Sequence, residues 1–129
     1  MKAKIFIFNG TPNSINIIDP SSIMFDGKSR KYISMNEKVV TKIPSNFILN
    51  VNCEMENAEP INGIPTIKIK IVSIDELPVG YDYYIVSAPY LAAAKSRGKD
   101  TSNLLTIGEP VYSSDGLLRP IGAAELQRN

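Results

Sequence analysis

The stretch Tyr83–Gly98, YYIVSAPYLAAAKSRG, predicts a buried strand, a sharp turn and a short helix. Its first four residues are aromatic or β-branched, which favours a packed strand. Ser87 then offers a hydroxyl immediately before the helix, and Pro89 occupies a first-turn position at which a missing N–H is tolerated. Good helix formers follow, and Gly98 favours termination in the left-handed conformation. We therefore expect one principal helix, over about residues 89–97.

The rest of the chain has the pattern of strands and turns. Phe47–Met55 alternates apolar and polar residues, Ile64–Ile74 alternates again, and Asn62-Gly63 between them favours a tight turn. A loop over Asn57–Gly63 is predicted to join these two long strands into the broadest hairpin of the fold, with Cys53 buried on its core-facing side. Shorter strands are predicted at Lys4–Phe8, Ser14–Ile18, Ile23–Phe25, Tyr32–Ser34, Lys38–Lys42, Leu104–Ile107, Val111-Tyr112, Leu117–Ile121 and Ala124–Leu126.

These elements indicate an α+β fold that is mainly β. We expect a compact antiparallel sheet, or a small barrel or sandwich, with the single helix packed against it. The strands Lys4–Phe8 and Ser14–Ile18 are predicted to pair as a hairpin across the turn residues between them. With 129 residues, a single domain over 1–129 is expected.

Composition limits the possible functions. Apolar residues at 43% and charged residues at 21% are typical of a soluble globular protein, and a net charge of +1 argues against general nucleic-acid binding. The absence of histidine removes histidine triads, histidine general bases and most zinc-enzyme sites. A single cysteine cannot form an internal disulfide, and the N-terminal apolar run is too short for a signal core or a membrane span. A cytoplasmic protein without membrane contact is therefore expected.

The acidic residues do not predict an enzyme. Most fall in predicted turns or on solvent faces, and the sequence contains no P-loop, dinucleotide fingerprint or nucleophile elbow. Asp75, Glu76 and Asp82 flank one loop and could hold a metal, although a solvated loop is the simpler interpretation. We expect no catalytic residues, no metal and no cofactor.

The start of the predicted helix is the candidate ligand site. The first N–H groups of a helix lack partners and carry partial positive charge, so this end accepts phosphate or carboxylate groups. Tyrosines near it could stack on a base, and arginines could clamp phosphates, also across a subunit boundary. In the alternative interpretation, the serine only caps the helix and the tyrosines only pack. The candidates from this argument are Ser87, Tyr83, Tyr84, Tyr90, Arg97, Arg119 and Arg30.

Several short motifs occur along nearly the whole chain. In order, they are Asn9-x-Thr11-Pro12-x-x-Ile15; Gly63-Ile64-Pro65; Leu77-Pro78; Tyr84-Ile85-Val86-Ser87 with Ala92 and Ala94; Leu104-Leu105-x-x-Gly108; and Val111-x-x-x-Asp115-Gly116 with Ile121-Gly122. Together they resemble a widespread family of small tailed-phage and prophage proteins that has an Asn-Leu-Thr-Pro-His motif near the start and a Tyr-Ile-Val-Ser strand before a helix.

The resemblance implies a viral context and adds Thr11 and Asn13 to the candidate ligand residues. Asn13 stands where the family often has histidine, Gly10 replaces an apolar residue, and residues 20–44 have no counterpart. The combined expectation is a non-enzymatic phage accessory protein, a homo-oligomer in the host cytoplasm that binds an anionic nucleotide-like ligand. It would act as a sponge for a host immune nucleotide signal. The alternative is a virion structural or decoration protein, or an inhibitor of a host defence protein that acts by direct contact.

Overall fold

The computed structural model describes residues 4–129 and confirms the predicted α+β, mainly β class, since 48% of it is strand and 10% is helical. The strands are β1 (Ile7–Asn9), β2 (Ile15–Ile18), β3 (Ile23–Asp26), β4 (Lys31–Ser34), β5 (Val39–Ile43), β6 (Val51–Ile61), β7 (Ile64–Ile74), β8 (Tyr83–Ile85), β9 (Leu104–Ile107), β10 (Pro110–Ser113), β11 (Pro120–Ala123) and β12 (Leu126–Arg128). The α-helix in this part of the chain is α1 (Ala88–Ser96), and a 3-10 turn spans Pro20–Ser22.

The helix α1 forms for the local reasons that the sequence predicts. Ser87 is its N-cap in an extended conformation, and its Oγ accepts a hydrogen bond from the Tyr90 N–H at 3.2 Å. Pro89 lies in the first turn, where no N–H is needed. Gly98 follows the last turn with φ +69°, a conformation that costs glycine little.

A four-stranded sheet in the order β1-β8-β9-β12 forms the centre of the molecule. The pairs β1–β8 and β8–β9 are parallel, and β9–β12 is antiparallel. On one face, Phe8, Tyr84 and Leu104 pack against α1 in a cluster with buried apolar side chains. On the other face, Ile85 and Leu105 pack against β2 and β5 of a second sheet. The central sheet therefore separates the helix from the second sheet.

The second sheet has six short strands in the order β3-β4-β10-β11-β2-β5. Three antiparallel pairs, β3–β4, β10–β11 and β2–β5, are joined by the parallel pairs β4–β10 and β11–β2. Its buried side chains include Ile18 and Val111, and it also buries Ser34 and Ser113. The Ser22 and Ser34 hydroxyls are 2.8 Å apart, so these buried oxygens have hydrogen-bonding partners.

The third sheet is the antiparallel hairpin β6–β7, which we call the arm (Val51–Ile74). Each strand has 11 residues, which confirms the prediction that this is the longest hairpin. Asn62 and Gly63 make the two-residue turn, both with positive φ (50° and 76°), as a type I′ turn requires. Most residues of the arm are exposed to solvent, and only its base contacts the core cluster beneath α1.

Three predictions about the fold were wrong. The first two strands do not form a hairpin, because β1 pairs with β8 while β2 lies in the six-stranded sheet. The sheets are mixed and not purely antiparallel, and no closed barrel is present in residues 4–129. Cys53 is exposed, because the strand leaves the core after the buried Leu49 and the half-buried Val51. The short predicted strands are present, with their ends shifted by a few residues.

Candidate ligand-binding site

A cleft of about 450 Å³ opens at the start of α1. It lies where the parallel strands β1, β8 and β9 reach their carboxyl ends, which is the edge at which α/β sheets commonly bind ligands. Its volume falls within the range of about 300–1,000 Å³ that is typical of small-molecule sites. The cleft is lined by Thr11, Pro12, Asn13, Ser14, Ile15, Val86, Ser87, Ala88, Thr106, Ile107 and Gln127.

The turn after β1 forms one wall of the cleft and is held by a buried amide. Asn9 has no exposed surface, and its Oδ1 accepts from the Thr11 N–H at 3.0 Å and from the Thr11 hydroxyl at 2.6 Å. Its Nδ2 donates to the Asn13 and Ile43 carbonyls, each at 3.1 Å. These bonds fix the positions of Thr11 and Asn13, so this wall is formed before any ligand binds.

Gly10 joins this turn to the chain that leads into the arm. The Gly10 N–H donates to the Ile85 carbonyl at 2.9 Å, and the Gly10 carbonyl accepts from the Leu49 N–H at 2.9 Å. A Cβ at position 10 would lie 2.6 Å from Leu49 Cδ1. A larger residue at position 10 would therefore have to displace the buried Leu49 side chain, and its Cβ would also lie 3.0 Å from the Ile85 carbonyl oxygen.

The start of α1 offers the cleft fewer N–H donors than most helices do. The Tyr90 N–H bonds to Ser87 Oγ, the Leu91 N–H donates to the Ser87 carbonyl at 3.0 Å, and Pro89 has no N–H. The Ala88 amide remains as the first-turn donor without a partner inside the helix. Both Ser87 and Ala88 line the cleft, so this amide and the positive end of the helix dipole are available to an anionic group.

The cleft lining is uncharged in the described part of the chain. It combines hydroxyl and amide side chains with apolar ones. Among the polar side chains, Thr106 and Gln127 come from the paired strands β9 and β12. Such a surface suits a flat ring against Ile15 and Ile107, with polar groups held by neutral donors. A phosphate bound here by one copy of the chain would be neutralised only in part.

The three predicted arginines lie away from this cleft. Arg97 follows the far end of α1 and donates to the Val72 carbonyl of the arm at 2.7 Å. Arg30 is in the β3–β4 turn with φ 59°. Arg119 contacts Asp115 at 2.6 Å. Hydrogen bonds from the Ser113 hydroxyl, the Leu117 N–H and Arg119 lower the pKa of Asp115 to about 2.

The tyrosines also lie outside the cleft lining. Tyr84 and Tyr90 are buried in the core beneath α1, and their hydroxyls donate to the Pro78 and Asp75 carbonyls. Burial, with a smaller effect from the Asp75 carboxylate, raises the pKa of Tyr90. Tyr83 is half-buried and lies under the Arg128 guanidinium, 5.2 Å from its ring centre. The structure thus brings together Ser87, Thr11 and Asn13 but not the aromatic and basic candidates.

The Tyr90→Phe variant should lose about 1 kcal/mol of unfolding free energy, because the Asp75 carbonyl loses its hydroxyl donor. Ligand binding in the cleft should not change, since the ring and its packing are kept. Urea denaturation measures the first effect, and Tyr32→Phe, at an exposed strand position, is the matched control. A Tyr90→Phe protein that keeps full stability but loses ligand binding would show that the Tyr90 hydroxyl contacts the ligand and not the Asp75 carbonyl.

Sequence reasoning did not identify Ser14, Thr106 or Gln127 as lining residues. They reach the cleft through strand pairing between distant segments, which no local spacing reveals. The expected absence of a metal site stays a prediction, although residues 4–129 contain no group of three or more cysteine, aspartate or glutamate side chains that could hold a metal ion. Asp75, one of the acidic residues considered, instead accepts hydrogen bonds from the Asn50 N–H at 2.8 Å and from two asparagine side chains, which lower its pKa.

Over residues 4–129, no helix has the length and apolar character needed to cross a membrane. A scan against protein-family models, a search of curated proteins and a search of solved structures each return no match. The resemblance of the short motifs to the phage proteins therefore stays a prediction.

Proposed function

We propose that this chain is a phage-encoded, non-enzymatic protein that binds an anionic nucleotide-like molecule in the cleft at the start of α1. By holding a host immune nucleotide signal, such as a cyclic dinucleotide or an ADP-ribose derivative, it would act as a sponge in the host cytoplasm. The observation that carries the proposal is the cleft itself, with its volume of about 450 Å³ and its position beside Ser87 and Ala88 at the start of α1.

Retention of the ligand without cleavage fits the chemistry of the lining. Its side chains are hydroxyls, amides and apolar groups, which donate and accept hydrogen bonds but do not titrate near neutral pH. General acid–base catalysis needs a positioned group that exchanges a proton near the working pH. The lining therefore favours binding over turnover.

Two substitutions at Ser87 should distinguish the effect of an added charge on ligand affinity from the effect of a larger side chain. Aspartate and asparagine are both good N-cap residues, so Ser87→Asp and Ser87→Asn should both keep the helix and the fold. Only aspartate adds a negative charge beside the proposed anion. We expect Ser87→Asp to weaken ligand binding at least tenfold and Ser87→Asn to change it much less. Isothermal titration measures both variants, and equal affinities would place the negative charge of the ligand elsewhere.

The ligand itself can be sought by uptake and release. The purified protein is incubated with a panel of cyclic dinucleotides and ADP-ribose derivatives, washed and heat-denatured, and the supernatant is analysed by mass spectrometry. Release of an unchanged nucleotide supports the sponge. Release of an altered nucleotide indicates an enzyme, and the absence of uptake across the panel contradicts the proposed ligand class.

The second candidate is a virion structural protein or an inhibitor that acts by direct protein contact. It is favoured by large apolar side chains at the surface, among them Met24 and Phe25 of β3 and several residues of the arm. Detection of the chain in purified virions at a fixed copy number, together with no nucleotide uptake, would favour this candidate over the sponge.

A further inference from the structure

The arm exposes a continuous apolar strip on one of its two faces. The β6–β7 register pairs Cys53 with Ile71, Met55 with Ile69 and Asn57 with Ile67. Cys53 and the four large apolar residues of these pairs all face solvent, and Met55 and Ile69 are 71% and 65% exposed. We call these five residues, Cys53, Met55, Ile67, Ile69 and Ile71, the apolar face of the arm.

The opposite face of the arm is polar and nearly neutral. There the register pairs Glu54 with Lys70 and Glu56 with Lys68, so each carboxylate stands across from an ammonium group. Side chains alternate along a strand, so the two faces are distinct surfaces. The arm is thus an amphipathic ribbon whose apolar face is not covered by residues 4–129.

The exposed apolar face of such a two-stranded ribbon needs a packing partner. An isolated hairpin is at best marginally stable in water, and independent stability requires further strands or packing of its apolar face. Here only the base of the arm reaches the core cluster beneath α1, through Val51 and Ile74. The remaining apolar face has to find a partner outside the chain if the arm is to be ordered.

The chain exposes more surface than a compact monomer of its size. A compact monomer of 14.2 kDa is expected to expose about 6,800 Å². This chain exposes 8991 Å², an excess of about 2,200 Å². A standard protein interface removes about 800 Å² from each partner, so the excess is sufficient for a stable contact with another folded protein.

The charges of the arm favour a second copy of this chain as that partner. A membrane surface or a nucleic acid is bound by an excess of lysine and arginine, whereas here two glutamates of β6 stand opposite two lysines of β7 on the other face of the arm. The net charge of +1 gives little repulsion between identical copies. An apolar strip is also complementary to itself, as the identical patches of a two-fold dimer must be.

We propose that two copies of this chain associate as a dimer by packing the apolar faces of their arms against each other across a two-fold axis. Met55 and Ile69, the most exposed of the four large apolar residues and paired across the ribbon, are the centre of this contact. The dimer does not depend on the ligand proposed above, because the arm and the cleft are lined by different residues.

The test introduces a charge into the apolar face and compares it with the same change of charge on the opposite face. Ile69→Glu and Lys70→Gln each alter the net charge by −1 at neighbouring, oppositely directed positions. Both sites are exposed, so circular dichroism should show folded protein in each case. Sedimentation equilibrium should give a dimer for the original chain and for Lys70→Gln. For Ile69→Glu it should give a dimerisation Kd raised by about 100-fold or more.

Cys53 provides a second measurement without any mutation. Its thiol belongs to the apolar face and is exposed in a single copy, so maleimide should modify it more slowly as the protein concentration rises through the dimerisation Kd. In Ile69→Glu the rate should be independent of concentration. A chain that is monomeric at about 100 µM, an Ile69→Glu variant that dimerises as well as Lys70→Gln, or a concentration-independent Cys53 rate in the original chain would each overturn the proposal.

Discussion

Replacement of Asn9 by alanine should lower the free energy of unfolding by at least about 3 kcal/mol, because it leaves several buried polar groups without partners. The Asn9 side chain bonds to Thr11, Asn13 and Ile43 from a position with no exposed surface. Alanine removes the acceptor and both donors at once. The turn that forms one wall of the cleft should then lose its fixed shape, so nucleotide uptake should fall together with stability. Urea denaturation and titration calorimetry measure the two effects.

The matched control is Asn36→Ala. Asn36 makes a similar local bond, since its Oδ1 accepts from the Lys38 N–H at 2.9 Å, but it lies at the surface, where water can replace the lost group. We expect its cost to stay within about 1 kcal/mol. If the two alanine variants unfold at the same urea concentration, the buried amide does not hold the wall of the cleft.

Gly122→Ala should be the second strongly destabilising change, with a loss of about 3 kcal/mol or failure to fold. Gly122 lies in β11, at the centre of the six-stranded sheet, where a Cβ would stand 2.4 Å from the Asn16 carbonyl oxygen and 3.0 Å from Ile18 Cδ1. The first contact is with backbone, which cannot move aside without separating β11 from β2. Thermal unfolding followed by circular dichroism measures the loss.

Gly27→Ala is the control for this clash. No atom lies within 4 Å of a Cβ at position 27, and its φ is not in the left-handed region. Alanine there should leave the melting temperature unchanged or raise it slightly, since it reduces the entropy of the unfolded chain. A Gly122→Ala protein as stable as Gly27→Ala would show that β2 and β11 can separate at little cost.

The sequence predicted those parts of the fold that depend on neighbouring residues. The helix was placed correctly because Ser87, Pro89 and Gly98 act within one or two turns of it, and the turn of the arm because Asn62-Gly63 specifies its own conformation. The first strand of the arm was predicted at Phe47–Met55 with a loop over Asn57–Gly63, whereas it spans Val51–Ile61. The order of strands could not be predicted in this way. The pairing of β1 with β8 joins segments far apart in sequence and depends on burial from both sides of the central sheet.

The residues of the candidate site that depend on local sequence signals were also predicted. The helix-capping pattern identified Ser87, and the N-terminal motif added Thr11 and Asn13, all of which line the cleft. The tyrosines were proposed because they are close in sequence to the helix start, and the arginines because of their charge, but Tyr84 and Tyr90 are buried in the core. The alternation around Cys53 correctly separates two faces of a strand. It does not reveal which face the chain itself covers, and that is why its burial was predicted wrongly.

The contact between Gly10 and Leu49 connects the cleft to the segment that leads into the arm. One hydrogen bond and a side chain packed against a bare Cα connect the wall of the cleft to the segment from which the arm departs. In a dimer built through the arms, the two ligand sites would be attached to a common rod, each through this short link. Such a dimer would carry two nucleotide sites, one in each chain, and both would lie outside the contact between the arms.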